Sequence, residues 1–241
     1  ENSCNVSLDV VPNLYQIGAF EDLQNQLEMI QVELNQKYAD YQKNVNTYTD
    51  TIRQMKEAEL QQLAKLSAVG KLSKVTSVTI GATLDMSDVA DWTGIKMFPA
   101  IPFDGGSDKG YEIKGLTAPL FGQLSANVKG LHLVDVNINE TVNPNVGALA
   151  RSVVALSGLS PVVSHCSVSG KMVVDCKDYV YQAESQYFEF AIGGLVGAMF
   201  GADMHCCSNS AELELKQCVT QSNTKEIRPS LGGCIGSLES F

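Results

Sequence analysis

The segment GGLVGAMFGADMHCCSNSAEL (193–213) joins two short strings that recur elsewhere in the chain. The first string has two small residues, two apolar residues and usually a glycine, and it occurs as APLFG (118–122), GALAR (147–151), GGLVG (193–197) and GGCIG (232–236). The second string follows the first three of these, as VKGLHLVDV (128–136), VSHCSVSGKM (163–172) and MHCCSNSAEL (204–213). Internal repetition of this kind is typical of folds in which similar units stack.

The spacing between the units varies although the strings persist. Leu131, Cys166 and Cys207 take the same place in the three longer strings, and the second interval is longer than the first. Similar strings with spacers of variable length indicate stacked rungs, each of which completes its apolar row only against its neighbours. Short apolar runs between Gly, Asn, Ser and Asp, from Lys74 onward, are typical of strands. The sequence therefore predicts a parallel β-solenoid in which Leu131, Cys166 and Cys207 form one buried column.

The strings GGLVG (193–197) and VSHCSVSG (163–170) resemble the GLUG motif, a repeat with a Gly-Leu-apolar-Gly core. The segment DMSDVADWTGIKMFPAIPFDGGSDKGYEIKGLTAPLFG (85–122) is similar to the stretch that precedes such repeats in Bacteroidetes surface proteins. The matching residues are Trp92, Ile95, Phe103, Asp104, Gly105, Gly110, Tyr111, Ile113, Gly115 and Leu116. The chain departs from that pattern with Gly94 in place of the usual proline and with the additional residues 106–109. The resemblance covers roughly residues 75–241, and it implies a right-handed parallel β-helix on a secreted or cell-surface protein, often lipid-anchored.

Residues 20–67 contain neither glycine nor proline and predict one long α-helix. Apolar residues recur along one helical face, at Leu23, Leu27, Ile30, Leu34, Tyr41, Val45, Tyr48, Ile52, Met55, Leu63 and Leu66. Gly70 supplies the C-terminal stop, and a hairpin near Asn44–Asn46 would lack a turn signal. Because the stripe is narrow, the helix is expected either to form a coiled coil or to lie along the protein's own body. Lys37 and Asn44 interrupt the heptad that a coiled coil requires.

The composition excludes several classes of partner. A net charge of −10 argues against sequence-independent binding of nucleic acid and against docking on an anionic membrane. No run of 18 apolar residues is present, so no membrane span is predicted. No signal peptide is visible at Glu1, which fits a cytosolic chain or a secreted chain whose leader has been removed. Cys4 is not the first residue, so a lipid anchor would use residues that are absent from this chain.

Six of the seven cysteines lie in the last third of the chain, without any CxxC pair; the seven are Cys4, Cys166, Cys176, Cys206, Cys207, Cys218 and Cys234. Stacking places Cys166 beside Cys207, and Cys176 and Cys218 follow them at similar distances. Adjacent strands lie about 4.8 Å apart, which satisfies the Cα spacing of a disulfide. Buried thiols are equally compatible with the column, because free cysteine packs as a small hydrophobe. The sequence leaves thiols and disulfides open and favours thiols.

The strings contain no predicted catalytic or metal site. His132, His165 and His205 fall in different columns of the alignment, so stacking does not gather them as zinc ligands. Alternation along a strand directs His165 away from Cys166, which excludes a cooperating Cys-His pair. Polysaccharide-cleaving enzymes need two carboxyl groups at a controlled separation. Asp135 aligns with Gly170, and Glu212 and Glu214 face outward without a charged neighbour in register.

The insertion CKDYVYQAESQYFEF (176–190) is the most aromatic part of the chain. Its candidate contact residues for a partner are Tyr179, Tyr181, Tyr187, Phe188 and Phe190. Tyrosine is enriched where protein surfaces bind other molecules. The alternative is a hairpin whose rings cover the flank of the solenoid.

The fold class predicted from these observations is mainly β, a right-handed parallel β-helix with a long N-terminal α-helical segment. Residues 1–70 form the helical segment, and residues 71–241 form the GLUG-type β-helix domain. The leading hypothesis is a non-enzymatic protein of the outer cell surface, or a secreted one, that binds protein or glycan without a cofactor. A polysaccharide-binding or polysaccharide-processing β-helix is one alternative. An oligomeric stalk formed through residues 20–67 is the other.

Overall fold

The computed structural model describes residues 19–106, 109–156, 158–175, 189–217 and 228–239, and the side chains of the helix at 24–47 and from 56 onward. The chain divides into two compact units, Glu1–Ile52 and Arg53–Phe241. The last turns of the helix therefore belong to the unit that contains the β-strands, whereas the sequence places the domain boundary at residue 70.

One helix, α1, spans Ala19–Ala68 without interruption, so the chain has no hairpin at Asn44–Asn46. Gly70 follows two residues after the end of the helix and adopts a left-handed conformation with a φ of 66°. The N–H of Gly70 donates to the Ser67 carbonyl, and the N–H of Lys71 donates to the Leu66 carbonyl. These two bonds satisfy carbonyls that the helix would otherwise leave without a partner.

Nineteen short strands follow within the described residues. They are β1 Val78–Thr79, β2 Leu84–Asp85, β3 Ile95–Phe98, β4 Phe103–Asp104, β5 Ile113–Lys114, β6 Phe121–Leu124, β7 Val128–Lys129, β8 His132–Glu140, β9 Asn145–Val146, β10 Ala150–Val154, β11 Val162–Ser164, β12 Ser167–Asp175, β13 Glu189–Gly193, β14 Val196–Phe200, β15 Asp203–His205, β16 Ser208–Asn209, β17 Glu212–Gln217, β18 Arg228–Gly232 and β19 Ile235–Glu239. The mainly β character predicted for this part of the chain is confirmed.

The strands form four parallel sheets. Sheet 1 has the order β1-β4-β7-β11-β15, and sheet 2 has the order β2-β5-β8-β12, with β16 and β17 both paired to β12. Sheet 3 has the order β3-β6-β10-β14-β19, and sheet 4 consists of β9, β13 and β18. The chain visits sheets 1, 2 and 3 in that order repeatedly within the described residues, and each visit is called a pass below. The last three passes add a strand of sheet 4 before sheet 3.

The register keeps equivalent apolar residues in line from pass to pass. In sheet 1 the successive partners are Val78, Phe103, Val128, Val163 and Met204, and the chain between them lengthens in the later passes. Sheet 3 likewise aligns Ile95, Phe121, Ala150, Val196 and Ile235. Because each apolar side chain lies directly beside its partners, neighbouring strands complete one another's buried row.

The rows of the different sheets meet in one hydrophobic core. Phe103 of sheet 1 packs between Phe98 and Phe121 of sheet 3, with ring centroids 5.1–5.6 Å apart in this trio. The last turns of α1 join the same core through Leu60, and the segment after the helix joins it through Leu72. This part of the helix therefore lies along the protein's own body, one of the two arrangements expected from its narrow stripe.

Candidate functional site

A tight turn occurs at the same point of three successive passes, just before the chain enters sheet 2. Its residues are Gly130, His165 and Cys206, whose φ angles lie between 51° and 66°. This left-handed conformation is unfavourable for residues that carry a Cβ atom. Hydrogen bonds between passes hold the turn in place, from the Gly130 N–H to the Ser164 carbonyl (2.9 Å) and from the His165 N–H to the His205 carbonyl (3.0 Å).

The residue after each turn is Leu131, Cys166 or Cys207, the three residues that the sequence predicts as one column. The N–H of Ser167 donates to the Leu131 carbonyl at 2.9 Å, and the N–H of Ser208 donates to the Cys166 carbonyl at 3.0 Å. These bonds place the three residues at equivalent positions of adjacent passes. Leu131 is buried, Cys166 is 2% exposed, and Cys207 is half-buried.

The sulfur atoms of Cys166 and Cys207 interact directly. The backbone N–H of Cys166 donates to the Sγ atom of Cys207 at 3.4 Å, and the two side chains also hydrogen bond to each other. The Sγ atom of Cys166 lies 3.2 Å from the Ser164 carbonyl oxygen, and that of Cys207 lies 3.2 Å from the His205 carbonyl oxygen. The column thus contains a pair of thiols embedded in backbone hydrogen bonds.

The two thiols of this pair differ strongly in acidity. The hydrogen bond to Cys207 raises the pKa of Cys166, and burial raises it further. The same hydrogen bond lowers the pKa of Cys207 to about 6 against the opposing effect of burial. The Cys166 N–H and the charge of the His205 ring add to this lowering. Cys207 is therefore the more acidic thiol of the pair, and Cys166 is the less acidic one.

The question of thiols or disulfides is answered for four of the cysteines. Cys166, Cys206, Cys207 and Cys234 are free thiols. Burial raises the pKa of Cys234, and the nearby charge of Cys207 raises it further. Cys4, Cys176 and Cys218 lie outside the described residues.

The three histidines occupy separate places. His132 has its Nδ1 atom 2.8 Å from the Ser167 hydroxyl, while His165 and His205 are exposed at the turn and at the end of β15. Within the described residues, no three His, Cys, Asp or Glu side chains lie close enough together to hold a metal ion.

The aromatic insertion falls mostly outside the described part of the chain. Tyr179, Tyr181, Tyr187 and Phe188 are among the residues that the structure leaves undescribed. Phe190 is described, and its side chain is fully buried in the core from strand β13. The expectation that Phe190 contacts a partner is therefore wrong, because a ring without exposed surface packs inside the protein.

The outer face of sheet 2 carries a cluster of charges that the sequence analysis missed. Lys171 on β12 places its Nζ atom 3.0 Å from Glu212 and 2.9 Å from Glu214, both on β17. The hydrogen bond from Lys171 lowers the pKa of Glu214, whereas a general acid needs a raised one. The expectation that these carboxylates lack a charged neighbour in register is wrong. The aligned strings already placed Lys171 opposite Glu212, so the signal was present.

The register also shifts once within sheet 2. Gly170 pairs with Val136 instead of Asp135, because β8 contains one additional residue between its partners for Val168 and Gly170. Asp135 lies at this shift, and its φ angle is 52°. The predicted alignment of Asp135 with Gly170 is therefore wrong by one residue.

A buried ionic cluster connects the end of β8 to β10. The carboxylate of Glu140 pairs with Arg151 and accepts hydrogen bonds from the N–H groups of Val142 and Asn143, each at 2.9 Å. Burial works against ionisation of this carboxyl, but the two N–H donors and the Arg151 guanidinium outweigh it and lower the pKa of Glu140. The cluster fixes the connection that leads to sheet 4.

A cleft of about 650 Å³ lies beside the end of the helix. Apolar side chains form most of its wall, among them Leu72, Met97, Phe98 and Ile101. The Ser67 hydroxyl donates to the Met97 carbonyl at this wall. The cleft is suited to apolar groups.

The first compact unit has a different surface character. Every side chain of residues 24–47 is exposed, although the helix carries large apolar residues there. These exposed residues are Leu27, Met29, Ile30, Val32, Leu34, Tyr38, Tyr41 and Val45. Such a helical surface has the composition of one that a partner covers.

No protein-family model, no curated protein and no solved structure matches this chain. In the part of the chain that the structure describes, no helix combines the length and the apolar character that crossing a membrane requires.

Proposed function

We propose that this chain is a non-enzymatic structural or adhesion protein of the outer cell surface, or a secreted one, built as a right-handed parallel β-helix. The observation that carries the proposal is the repeated order in which the chain passes through sheets 1, 2 and 3. A chain that returns to the same parallel sheets in a fixed order winds as a solenoid, and crossovers between parallel strands are almost always right-handed. The GLUG resemblance of residues 75–241 points to the same architecture and to a bacterial surface.

A rigid scaffold of stacked β-strands is suited to presenting binding loops to a partner. Each inner pass hydrogen bonds to the passes on both sides, so its buried rows are fixed while the loops between strands vary in length. The later passes carry more loop than the first ones, because the sheet 1 partners lie further apart in the sequence there. Loops on a rigid scaffold are where binding residues concentrate. Tyr179, Tyr181 and Tyr187 lie in the insertion of one such pass and remain the candidate partner contacts.

The charges on sheet 2 weigh against the polysaccharide-processing alternative. Glu212 and Glu214 are the outward carboxylates that alternate on one strand, and both are paired with Lys171. A glycosidase requires one carboxyl group with a raised pKa and one that stays ionised. Paired carboxylates of this kind form a solvated outer face, which fits a binding or structural role.

The proposal is tested by offering the full chain to a glycan array and to intact bacterial and host cells. We expect saturable binding to a glycan or a surface protein, with the bound glycan recovered at its original length. The variant Y179S/Y181S/Y187S should lose binding while its circular dichroism and melting temperature stay unchanged. As a matched control, Tyr38→Ser changes an exposed tyrosine outside the insertion. Shortened glycan products, or an absence of binding in every arm, would contradict the proposal.

The exposed helix supports a second candidate function, which is assembly of the chain with copies of itself. Leu27, Ile30, Leu34 and Tyr41 lie at the spacing of a heptad seam and are all exposed. Exposed apolar stripes of this length are stabilised in coiled coils, because a single amphipathic helix gains little from its own hydrogen bonds. Lys37 occupies a position of the seam itself, between Leu34 and Tyr41, and its Nζ atom lies 2.9 Å from Glu33 in an exposed i,i+4 pair.

Sedimentation equilibrium separates this candidate from a monomer. We expect the full chain to form a defined oligomer that the variant L27Q/I30Q/L34Q converts to a monomer. The control Q31A/N35A changes polar residues of the same helical turns and should leave the oligomer intact. A truncation for this purpose belongs near residue 52, because Leu60 and Leu72 are part of the core. A monomer at all concentrations would exclude assembly through the helix.

A further inference from the structure

We propose that Cys207 and Cys166 form a redox-active pair, in which a peroxide oxidises Cys207 and Cys166 then closes a disulfide between adjacent passes. The chemistry is independent of the display function proposed above. It uses two residues from different passes that the fold brings into contact.

The geometry of the column favours this reaction. Cys166 and Cys207 occupy equivalent positions of adjacent passes, directly before the paired residues Ser167 and Ser208. Neighbouring parallel strands lie about 4.8 Å apart, which is inside the Cα range of disulfides. The backbone N–H of Cys166 donates to the Cys207 sulfur at 3.4 Å, which brings that sulfur into contact with Cys166. Cys207 is half-buried and borders the exposed Cys206, whereas Cys166 is buried. A small oxidant therefore reaches Cys207 first.

The charges around Cys207 favour its role as the nucleophile. Three groups act on it, namely the Cys166 side chain, the Cys166 N–H and the His205 residue with its ring charge and backbone, and Cys207 in turn acts on the neighbouring Cys234. These three groups favour the anion and bring the pKa of Cys207 to about 6 against its partial burial. Thiolates, not thiols, react with peroxides, so reactive cysteines are those with a low pKa and some exposure. Cys166 has the raised pKa and the buried position of a resolving thiol.

The reaction proceeds in two balanced steps. The Cys207 thiolate attacks one peroxide oxygen, the O–O bond breaks, and the released hydroxide takes a proton from solvent to become water. Cys207 is now a sulfenic acid, oxidised by two electrons, and the peroxide has been reduced. The Cys166 sulfur then attacks the Cys207 sulfur, its proton passes to the sulfenic oxygen, and a second water leaves. In total, two thiols and one hydrogen peroxide give one disulfide and two waters.

Peptide mapping of the full chain tests the proposal. The reduced protein is treated with hydrogen peroxide, alkylated and digested with trypsin, which places Cys166 in residues 152–171 and Cys207 in residues 178–216. We expect a cross-linked species of these two peptides that dithiothreitol removes. The rate of its formation should rise with pH and reach half its maximum at a pH of about 6.

Serine variants of single cysteines identify which residues form the cross-link. Cys206→Ser removes the exposed neighbour on the same peptide and should leave the cross-link unchanged. Cys207→Ser should abolish the cross-link, and Cys166→Ser should abolish it while leaving Cys207 as a sulfenic acid that dimedone labels. Each variant is checked for an unchanged circular dichroism spectrum. If a variant does not fold, the cross-link measured in the wild-type protein still tests the proposal. A cross-link that depends on Cys206, recovery of both alkylated thiols after treatment, or a midpoint at the pKa of an ordinary cysteine would overturn the proposal.

Discussion

At the scale of single residues, Gly105 marks a very close approach between two passes. A Cβ atom at this position would stand 2.1 Å from the Gly130 oxygen and 2.7 Å from the Leu131 Cα atom. Both neighbours are backbone atoms that the sheet holds in place, so no side-chain movement relieves the clash. Only glycine, whose side chain is a hydrogen atom, fits at this position without a shift of the neighbouring backbone.

We therefore expect Gly105→Ala to destabilise the protein by about 3 kcal/mol, since overpacking against fixed backbone is among the larger effects of a single substitution. The measurement is urea unfolding followed by circular dichroism. Gly81→Ala is the matched control, because a Cβ atom there meets nothing within 4 Å. The control should change the free energy of unfolding by no more than about 0.5 kcal/mol. Equal stabilities for the two variants would contradict the tight stacking at Gly105.

Glu140 makes stability depend on pH. Its folded-state pKa is lowered, so its contribution is complete above the unfolded pKa and is lost as the pH falls through the folded value. We expect the free energy of unfolding to decline below a pH of about 4.5. Glu140→Gln should cost about 2 kcal/mol at pH 7, because Arg151 loses its charged partner, and it should flatten this part of the pH profile.

The control for Glu140 is Glu112→Gln, whose solvent-exposed pair with Lys114 adds little to stability. Unfolding by urea at several pH values measures both variants. If Glu140→Gln keeps the full acid dependence of the wild type, other carboxylates carry it and the cluster has been assigned the wrong role.

The repeat predicted which residues share a position but not the backbone conformation at that position. The aligned strings place His165 level with Gly130 and Cys206, and all three adopt left-handed φ angles, whereas the sequence pattern assigned His165 to a strand. A shared left-handed turn on histidine and cysteine was not predictable, because residues with a Cβ atom normally avoid it. The register shift at Asp135 was not predicted for a similar reason, because an extra residue in a strand leaves no signature in the composition.

At the scale of elements, the helix combines two environments under one uninterrupted pattern. Its last turns bury Leu60 in the core, whereas Leu34 in the first compact unit is 59% exposed. Leu34 belongs to the apolar stripe that the sequence predicts and Leu60 does not, so the pattern predicted the helix and its stop at Gly70 but not which of its residues are buried. Burial depends on which sheet residues face the helix, and that information is distributed over distant passes.

A pair of identical substitutions distinguishes the two parts of the helix. We expect Leu60→Ala to lower the free energy of unfolding by about 3 kcal/mol, because the side chain is 4% exposed and its removal leaves a cavity. Leu34→Ala should cost no more than about 0.5 kcal/mol at concentrations where the chain is monomeric. Thermal unfolding measures both. A large loss for Leu34→Ala in a monomer would mean that this turn packs against the protein itself.

At the scale of the whole molecule, the internal repeat revealed the later passes more clearly than the first two. The strings recur from residue 118 onward, where β8 and β12 are the longest of the described strands. In the first two passes, β1, β2, β4 and β5 are only two residues each, which is too short for apolar alternation to show. The even spacing of Val78, Phe103 and Val128 becomes visible only when the pairing is known.

The two end strands of sheet 3 differ in how well they are buried. Hydrogen bonds run in both directions between neighbouring passes, since the Leu149 N–H donates to the Leu195 carbonyl of the next pass and the Ser167 N–H donates to the Leu131 carbonyl of the preceding one. Strand β3 at one end of sheet 3 pairs with β6, and its residues Ile95 and Phe98 are buried. Strand β19 at the other end pairs, among the described residues, with β14 alone, and none of its residues is buried.

Native-state hydrogen exchange should reveal this difference in burial. Ile95 and Phe98 of β3 are buried, whereas Leu238 in β19 is 63% exposed. We expect amides of Ile235–Glu239 to exchange about a hundred-fold faster than those of Ile95–Phe98, with Val196–Phe200 in β14 the most protected. Both end strands lie at an edge of the same sheet, so each serves as the control for the other. Equal protection of β3 and β19 would mean that the β19 amides are covered as well as those of β3, by another part of the chain or by a second copy.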